Sequence, residues 1–195
     1  MNTERTLYCV NGSIPNWRVM LALHEKGISF IPRRLRVMCE PRETRSPEFL
    51  ALNPRGQTPV LEAETFACAY EPLEMLFMTK PSSLGDAERQ TLAGALSAVA
   101  FDLSLWESRA ACAPFIAGES LTLADCAFYP VLAYLLRRGL SLTAHPHLAA
   151  YEQHRVRARP SAEAAHPEGW LPGSVGRKNL FTLARAAVAS AARPV

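Results

Sequence analysis

Three short stretches carry residues whose types and spacing suit the capture of a small, peptide-like anion. Ser13 lies in the turn-rich run Asn11-Gly12-Ser13-Ile14-Pro15-Asn16, just ahead of a helical pattern from Trp17 to Lys26. A serine hydroxyl there either donates a hydrogen bond toward an anion near the positive end of the helix or serves as a turn residue, with Asn16 the better cap. In Gln57-Thr58-Pro59-Val60, a proline after a small residue either holds a cis bend or is a trans proline at an edge strand. The bend would turn the Thr58 N–H and C=O outward to pair with an extended ligand. Glu64-Thr65 precedes the apolar run Phe66 to Leu76, a helix start that either receives a carboxylate or is simply capped.

Other chemistries are disfavoured by the same residues. No histidine neighbours Ser13 as a base and there is no G-x-S-x-G elbow, which argues against a hydrolase nucleophile. The five cysteines, Cys9, Cys39, Cys68, Cys112 and Cys126, are odd in number and never two residues apart. They read as reduced, mostly buried thiols, with neither a disulfide framework nor a metal site expected. His145 and His147 flank Pro146 at a turn and are not read as ligands.

The elements that must position these groups are legible in outline. Thr6 to Val10 is strand-like, Trp17 to Lys26 helical with Gly27 at a C-cap position, and Phe30 to Val37 a second strand. Ser46 to Leu52 reads as a short helix, and Thr58 to Leu61 as a third, very short strand. This βαβαβ order points to an α/β sheet with helices on its faces. From Ser82 the strand signal ends: Leu92, Leu96, Val99, Leu103 and Trp106 recur at helical spacing and form one apolar stripe. Thr122-Leu123-Ala124-Asp125 has the form of a capping box at the start of a long buried helix, which Pro130 should bend and Arg137-Arg138-Gly139 should end. His147 to Arg157 is a further amphipathic segment, and the Ala-rich stretch from Gly173 is a divergent tail. The expected division is 1–81, 82–172 and 173–195.

Bulk properties agree with a globular chain. Its 195 residues are 49% hydrophobic, and 21 basic residues are scattered among 18 acidic ones for a net charge of +3. No basic stripe suggests nucleic acid as a partner. The longest apolar run, Cys126 to Leu136, is too short to span a bilayer, so no membrane segment is expected. MNTERTLYCVNG lacks an apolar signal core, and a cytoplasmic location is the expectation.

Taken in order, several motifs resemble the cytosolic glutathione S-transferases: S-x-P-x-W-R-V at Ser13 to Val19, the run from Ser46 to Leu61, and Leu121-Thr122-Leu123-Ala124-Asp125. Phe128-Tyr129-Pro130, Leu135 to Leu140, Arg159-Pro160-Ser161 and Trp170 look closest to the rho class known from fish and lancelets. The resemblance runs from about Leu7 to Leu171. It implies an α/β plus all-α architecture, with a thioredoxin-like N-terminal domain followed by an α-helical C-terminal domain. It also implies a cytoplasmic homodimer that conjugates glutathione, as co-substrate rather than bound cofactor, to small electrophiles in detoxification. By position, Ser13 matches the serine of serine-type members. Thr58 before Pro59 matches the backbone clamp on the cysteinyl group, and Arg45 with Gln57 stands toward the glycine carboxylate. Glu64-Thr65 matches the pair that receives the γ-glutamyl end. Ile14, Trp17 and Trp106 are candidate walls for the electrophile.

The chain departs from that pattern at one place. Only Glu62 and Ala63 separate Thr58-Pro59-Val60-Leu61 from Glu64-Thr65, where the family places a hairpin and a fourth strand, so an internal deletion of that strand is expected. A second alignment puts Tyr70 to Met78 on a later helix and makes Glu64-Thr65 a chance match. The alternative readings are a noncatalytic glutathione-transferase-like binding or scaffold module and an inactive truncated isoform.

Overall fold

The computed structural model describes residues 6–38, 40–52, 56, 58, 70–170, 176 and 178–191. The chain divides into two compact units, one of Met1–Glu62 with Arg157–Trp170 and one of Ala63–Val156 with Leu171–Val195.

In the first unit, β1 (Thr6–Cys9) and β2 (Ile31–Arg34) pair in parallel, Thr6 opposite Ile31 and Cys9 opposite Arg34. Parallel neighbours need a crossover, and α1 (Ile14–Glu25) supplies it. Leu35 N–H still donates to Cys9 O at 2.8 Å, after which the pairing has no further β1 residue to use. The second strand is therefore shorter than Phe30 to Val37. Gly27, at φ 62°, closes α1 as expected, with Ile28 N–H reaching Leu23 O at 2.9 Å.

The start of α1 corrects the sequence reading. Ser13, not Asn16, is the N-cap, and Pro15 falls in the first turn, where its missing N–H costs nothing. Asn16 is consequently inside the helix and 1% exposed.

The short helix α2 (Pro47–Leu52) starts where expected, with Phe49 N–H donating to Ser46 Oγ at 3.2 Å. Phe49 is buried and meets Tyr8 edge-on. Of the third-strand reading, Thr58 alone is described, and the rest lies outside the described residues. The unit is completed by α6 (Pro160–Ala165), whose Ala162 and Ala165 are buried and which packs along α1. Arg159 and the Ser161 hydroxyl both donate to the Glu25 carboxylate at the end of α1.

The second unit is helical among its described residues. The long α3 (Asp86–Cys112) buries Leu92, Ala95, Val99 and Leu103; of the anticipated stripe Leu92, Val99 and Leu103 are buried, while Leu96 and Trp106 are half-buried. Next comes α4 (Leu123–Arg137), which carries Pro130 within it and buries Phe128, Tyr129, Val131 and Leu132. The capping box forms: Asp125 Oδ2 accepts from Thr122 N–H at 2.8 Å, and Thr122 Oγ1 accepts from Ala124 N–H at 3.2 Å. Gly139, at φ 90°, ends the helix, and Asn179 lies directly against it.

Glu107 of α3 accepts from the N–H groups of His147 and Leu148, at 3.0 and 2.9 Å, capping α5 (Pro146–Ala150). A six-residue π-helical segment, Tyr151–Val156, follows directly. The tail includes α7 (Leu180–Ala191), which buries Leu180, Phe181, Ala184 and Ala187 and packs on α3. Arg89 grips its end, donating to Ala187 O at 2.6 Å and Ser190 Oγ at 2.7 Å. Among the described residues, no helix is long and apolar enough to cross a membrane.

Candidate functional site

The junction of β1 and α1 is built tightly enough to hold one hydroxyl in place. Ser13 N–H donates to Val10 O at 3.2 Å and Ser13 O accepts from Trp17 N–H at 2.9 Å, so the residue is held on both sides by backbone. Its side chain makes no capping hydrogen bond to α1. That is unusual for a serine at this position, whose oxygen ordinarily satisfies one of the free N–H groups of the first turn. Ser13 therefore combines a fixed backbone, a hydroxyl not spent on the cap and the positive end of a helix.

Neighbouring residues hold that loop from behind. Gly12 has φ 75°, and a Cβ there would stand 2.9 Å from Trp170 Cζ2, so glycine is required for conformation and for space. Trp17 is 2% exposed, edge-on to His166 at 5.2 Å and to Trp170 at 6.2 Å. Asn11 and Glu168 exchange hydrogen bonds, Glu168 N–H to Asn11 Oδ1 at 3.1 Å and Asn11 Nδ2 to Glu168 O at 3.2 Å. Arg34 pairs with the Glu168 carboxylate. None of these partners from 166–170 was singled out by sequence for this loop, because nothing local links residues 134 or more positions apart.

Ser13, Ile14 and Trp17 thus share one junction, with Ile14 and Trp17 both buried. Arg45 and Thr58 lie on another stretch of the same unit. Gly56, at φ 62°, packs so closely that a Cβ would lie 2.9 Å from Thr44 O and 3.1 Å from Arg45 Nη1. The guanidinium is therefore held beside the backbone two residues before Thr58. Gln57, Pro59, Glu64 and Thr65 lie outside the described residues, as do the expected bend at Pro59 and the place of the expected deletion. Trp106 belongs to the second unit, where its ring packs on Phe128 at 4.5 Å with the Arg109 guanidinium 5.5 Å above it.

The thiols near the site do not compete with Ser13. Cys9 is 3% exposed at the end of β1, and burial pushes its thiol pKa up, against a smaller opposing pull from Arg34. A buried, protonated thiol is a packing group and not a nucleophile. No cluster of three or more metal-ligating side chains occurs among the described residues.

Comparison with known proteins gives the family of the chain. The family description "Glutathione S-transferase, N-terminal domain" matches residues 16–71, and "Glutathione S-transferase, C-terminal domain" matches 89–154. Glutathione S-transferase A of Pleuronectes platessa is 31% identical over 226 residues, covering 92% of this chain and 99% of that protein. A glutathione S-transferase from the Antarctic clam Laternula elliptica superposes with a TM-score of 0.69 at 22% identity, covering 93% of this chain and all of that one. A sphingomonad glutathione S-transferase solved with glutathione gives 0.59 at 20% identity, over 82% of this chain and 96% of its own. These structures share the fold, a thioredoxin-like N-terminal domain followed by a helical C-terminal domain. Matched by the plaice protein along nearly its whole length, the chain belongs to the glutathione S-transferase family.

Proposed function

We propose that the chain is a working glutathione S-transferase, in which Ser13 stabilises the glutathione thiolate for attack on small electrophiles. One observation carries this reading: Ser13 stands at the N-cap of α1 with its hydroxyl unused by the cap. A thiol of pKa about 8.5 is only a few per cent ionised at neutral pH. The Ser13 O–H is far too weak an acid to act as a base, and its part is to donate a hydrogen bond to the sulfur anion. Together with the helix dipole this favours ionisation, and one unit of pKa needs only about 1.4 kcal/mol. The thiol proton passes to water. The sulfur lone pair then forms the C–S bond, and the leaving group departs with its bonding electrons.

Arg45, Gln57, Thr58, Pro59, Glu64 and Thr65 form the sequence-derived glutathione set, and the position of Arg45 beside Gly56 supports it. Ile14, Trp17 and Trp106 are the sequence-derived candidates for the electrophile's apolar walls, of which Ile14 and Trp17 are buried. The reading includes a cytoplasmic location, the domain limits 1–81 and 82–172, and a homodimer. Phe101 and Leu105, one turn apart on α3 and 73% and 47% exposed, support self-association. The identity with a fish protein supports kinship with the rho class.

The expected internal deletion also has support. The plaice alignment runs 226 residues while taking in 92% of a 195-residue chain, so the relative carries residues that this chain lacks. This favours, as second reading, a noncatalytic module of the same family. Calorimetric titration with glutathione decides between them. The transferase reading expects a saturable heat, and turnover of an activated aryl halide that Ser13→Ala slows by about tenfold or more. A folded chain that takes up no glutathione overturns it and leaves the noncatalytic module.

A further inference from the structure

The turn that carries Ser13 is not fixed by its own sequence. Ser13 N–H donates to Val10 O at 3.2 Å, which makes Val10–Ser13 a four-residue turn with Asn11-Gly12 at its centre. Asparagine and glycine both tolerate positive φ, so the pair suits a turn of type II and one of type I′, which differ by a flip of the peptide between them. Gly12 takes φ 75°, which both forms require, and so does not choose between them. Ser13 is at once the last residue of this turn and the N-cap of α1, so the form of the turn sets how its hydroxyl is presented.

The Asn11 side chain supplies what the turn leaves open. Its Nδ2 donates to Glu168 O at 3.2 Å and its Oδ1 accepts from Glu168 N–H at 3.1 Å. The two bonds run in opposite directions, so they fix the orientation of the amide as well as its position. Glu168 is itself anchored, as the second residue of a turn closed by Trp170 N–H to Pro167 O at 3.1 Å and through its carboxylate to Arg34 of β2. Asn11 and Glu168 are both exposed, where water competes for each bond and the net gain in stability is small. What such a clasp can do is select one geometry of the turn.

We propose that Asn11 is a positioning residue of the glutathione site: its clasp on the Glu168 backbone holds the Val10–Ser13 turn in the form that aims the Ser13 hydroxyl at the glutathione sulfur. The inference rests on the transferase reading, because Asn11 acts only through Ser13. With the clasp broken the turn samples both forms, the hydrogen bond to the sulfur anion is made only part of the time, and the thiol is less ionised.

The pKa of the glutathione thiol bound to the full chain, followed by the ultraviolet absorbance of the thiolate across pH, tests this. Asn11→Ala should raise that pKa by about half a unit to one unit, so that the fraction ionised near about pH 7 falls about three- to tenfold. Affinity near about pH 5, where free and bound thiols are both protonated, should stay within about twofold. A merely structural role would lower the urea midpoint and leave the thiol pKa in place. Ser13→Ala should raise the pKa as well, and adding Asn11→Ala to it should raise it no further. Glu168→Gln keeps both backbone bonds and should not raise it. If Asn11→Ala fails to fold, Glu168→Pro decides. Proline suits the second position of a turn and lacks the N–H given to Asn11, so the pKa should rise relative to Glu168→Gln. An unchanged pKa in Asn11→Ala, a rise in Glu168→Gln, or an equal further rise on top of Ser13→Ala would overturn the proposal. No uptake of glutathione, or no shift with Ser13→Ala, would overturn the transferase reading and this proposal with it.

Discussion

Trp170 lies so close to Gly12 that a Cβ on the glycine would come within 2.9 Å of the indole Cζ2. Gly12 also holds φ 75°, a region that costs an L-residue about 1–2 kcal/mol. Gly12→Ala is therefore expected to destabilise the chain by about 2 kcal/mol or more, read as a lowered urea midpoint. Gly27→Ala is the control. Gly27 has φ 62° with nothing within 4 Å of its Cβ position, so that variant should show the strain alone. Equal losses at the two glycines would mean that Trp170 does not press on the loop that carries Ser13.

How much of this was readable in the sequence depended on the reach of each interaction. The Thr122–Asp125 box, the Gly27 stop and the α3 stripe are local, spanning a few residues or one helical period; the first two formed as read, and the stripe did at Leu92, Val99 and Leu103. The cap of α1 was misread because Asn16 is as good an N-cap by type as Ser13; with Ser13 extended at the cap and Pro15 in the first turn, Asn16 falls inside the helix. The site's supports at His166, Glu168 and Trp170 were invisible as such, because they meet Asn11, Gly12 and Trp17 only across the fold. Periodicity also cannot separate an α-helix from the 3-10 turn at Glu71–Phe77 or the π-helix at Tyr151–Val156, since all three bring residues three to five apart together.

Arg45 lies beside Gly56 without being buried, so its guanidinium can face a carboxylate over a backbone that only glycine permits. Arg45→Ala is expected to weaken glutathione binding by about tenfold, the usual worth of a charge-assisted hydrogen bond, while leaving kcat within about twofold. The effect should appear in KM for glutathione and in calorimetry. A loss confined to kcat would place Arg45 at the reacting sulfur instead.

Stability should depend on pH through Glu25. The Arg159 hydrogen bond, helped by Ser161 and by the guanidinium charge, holds the Glu25 carboxyl below its ordinary 4.5 despite partial burial. A carboxylate depressed in the folded state contributes stability above its unfolded pKa and loses it as pH falls through the folded one. Glu25→Gln should therefore be less stable than the unmodified chain near about pH 7, with the gap closing as pH drops below about 4. Urea midpoints at several pH values measure this. A gap that stays constant to the acid limit would remove the Glu25–Arg159 pair as its source.

Asp125 is the polar group on which the second unit most depends. It is 0% exposed, and its two oxygens accept from Ile116 N–H at 2.9 Å, Thr122 N–H at 2.8 Å, Thr122 Oγ1 at 3.0 Å and Tyr151 O–H at 3.1 Å. Burial, and next the Asp125 charge, push the Tyr151 hydroxyl pKa up, so it remains a donor throughout the working range. Asp125→Asn turns one acceptor into a donor that must face other donors, and a loss of about 3 kcal/mol is expected. Tyr151→Phe removes only one of the four bonds and keeps the ring, at about 1 kcal/mol. The double variant should lose less than the two single losses together, because the introduced amide no longer has the hydroxyl to satisfy. Strict additivity in denaturant melts would show that Asp125 and Tyr151 stabilise the unit independently, and that the π-helical turn beginning at Tyr151 is not held by this carboxylate.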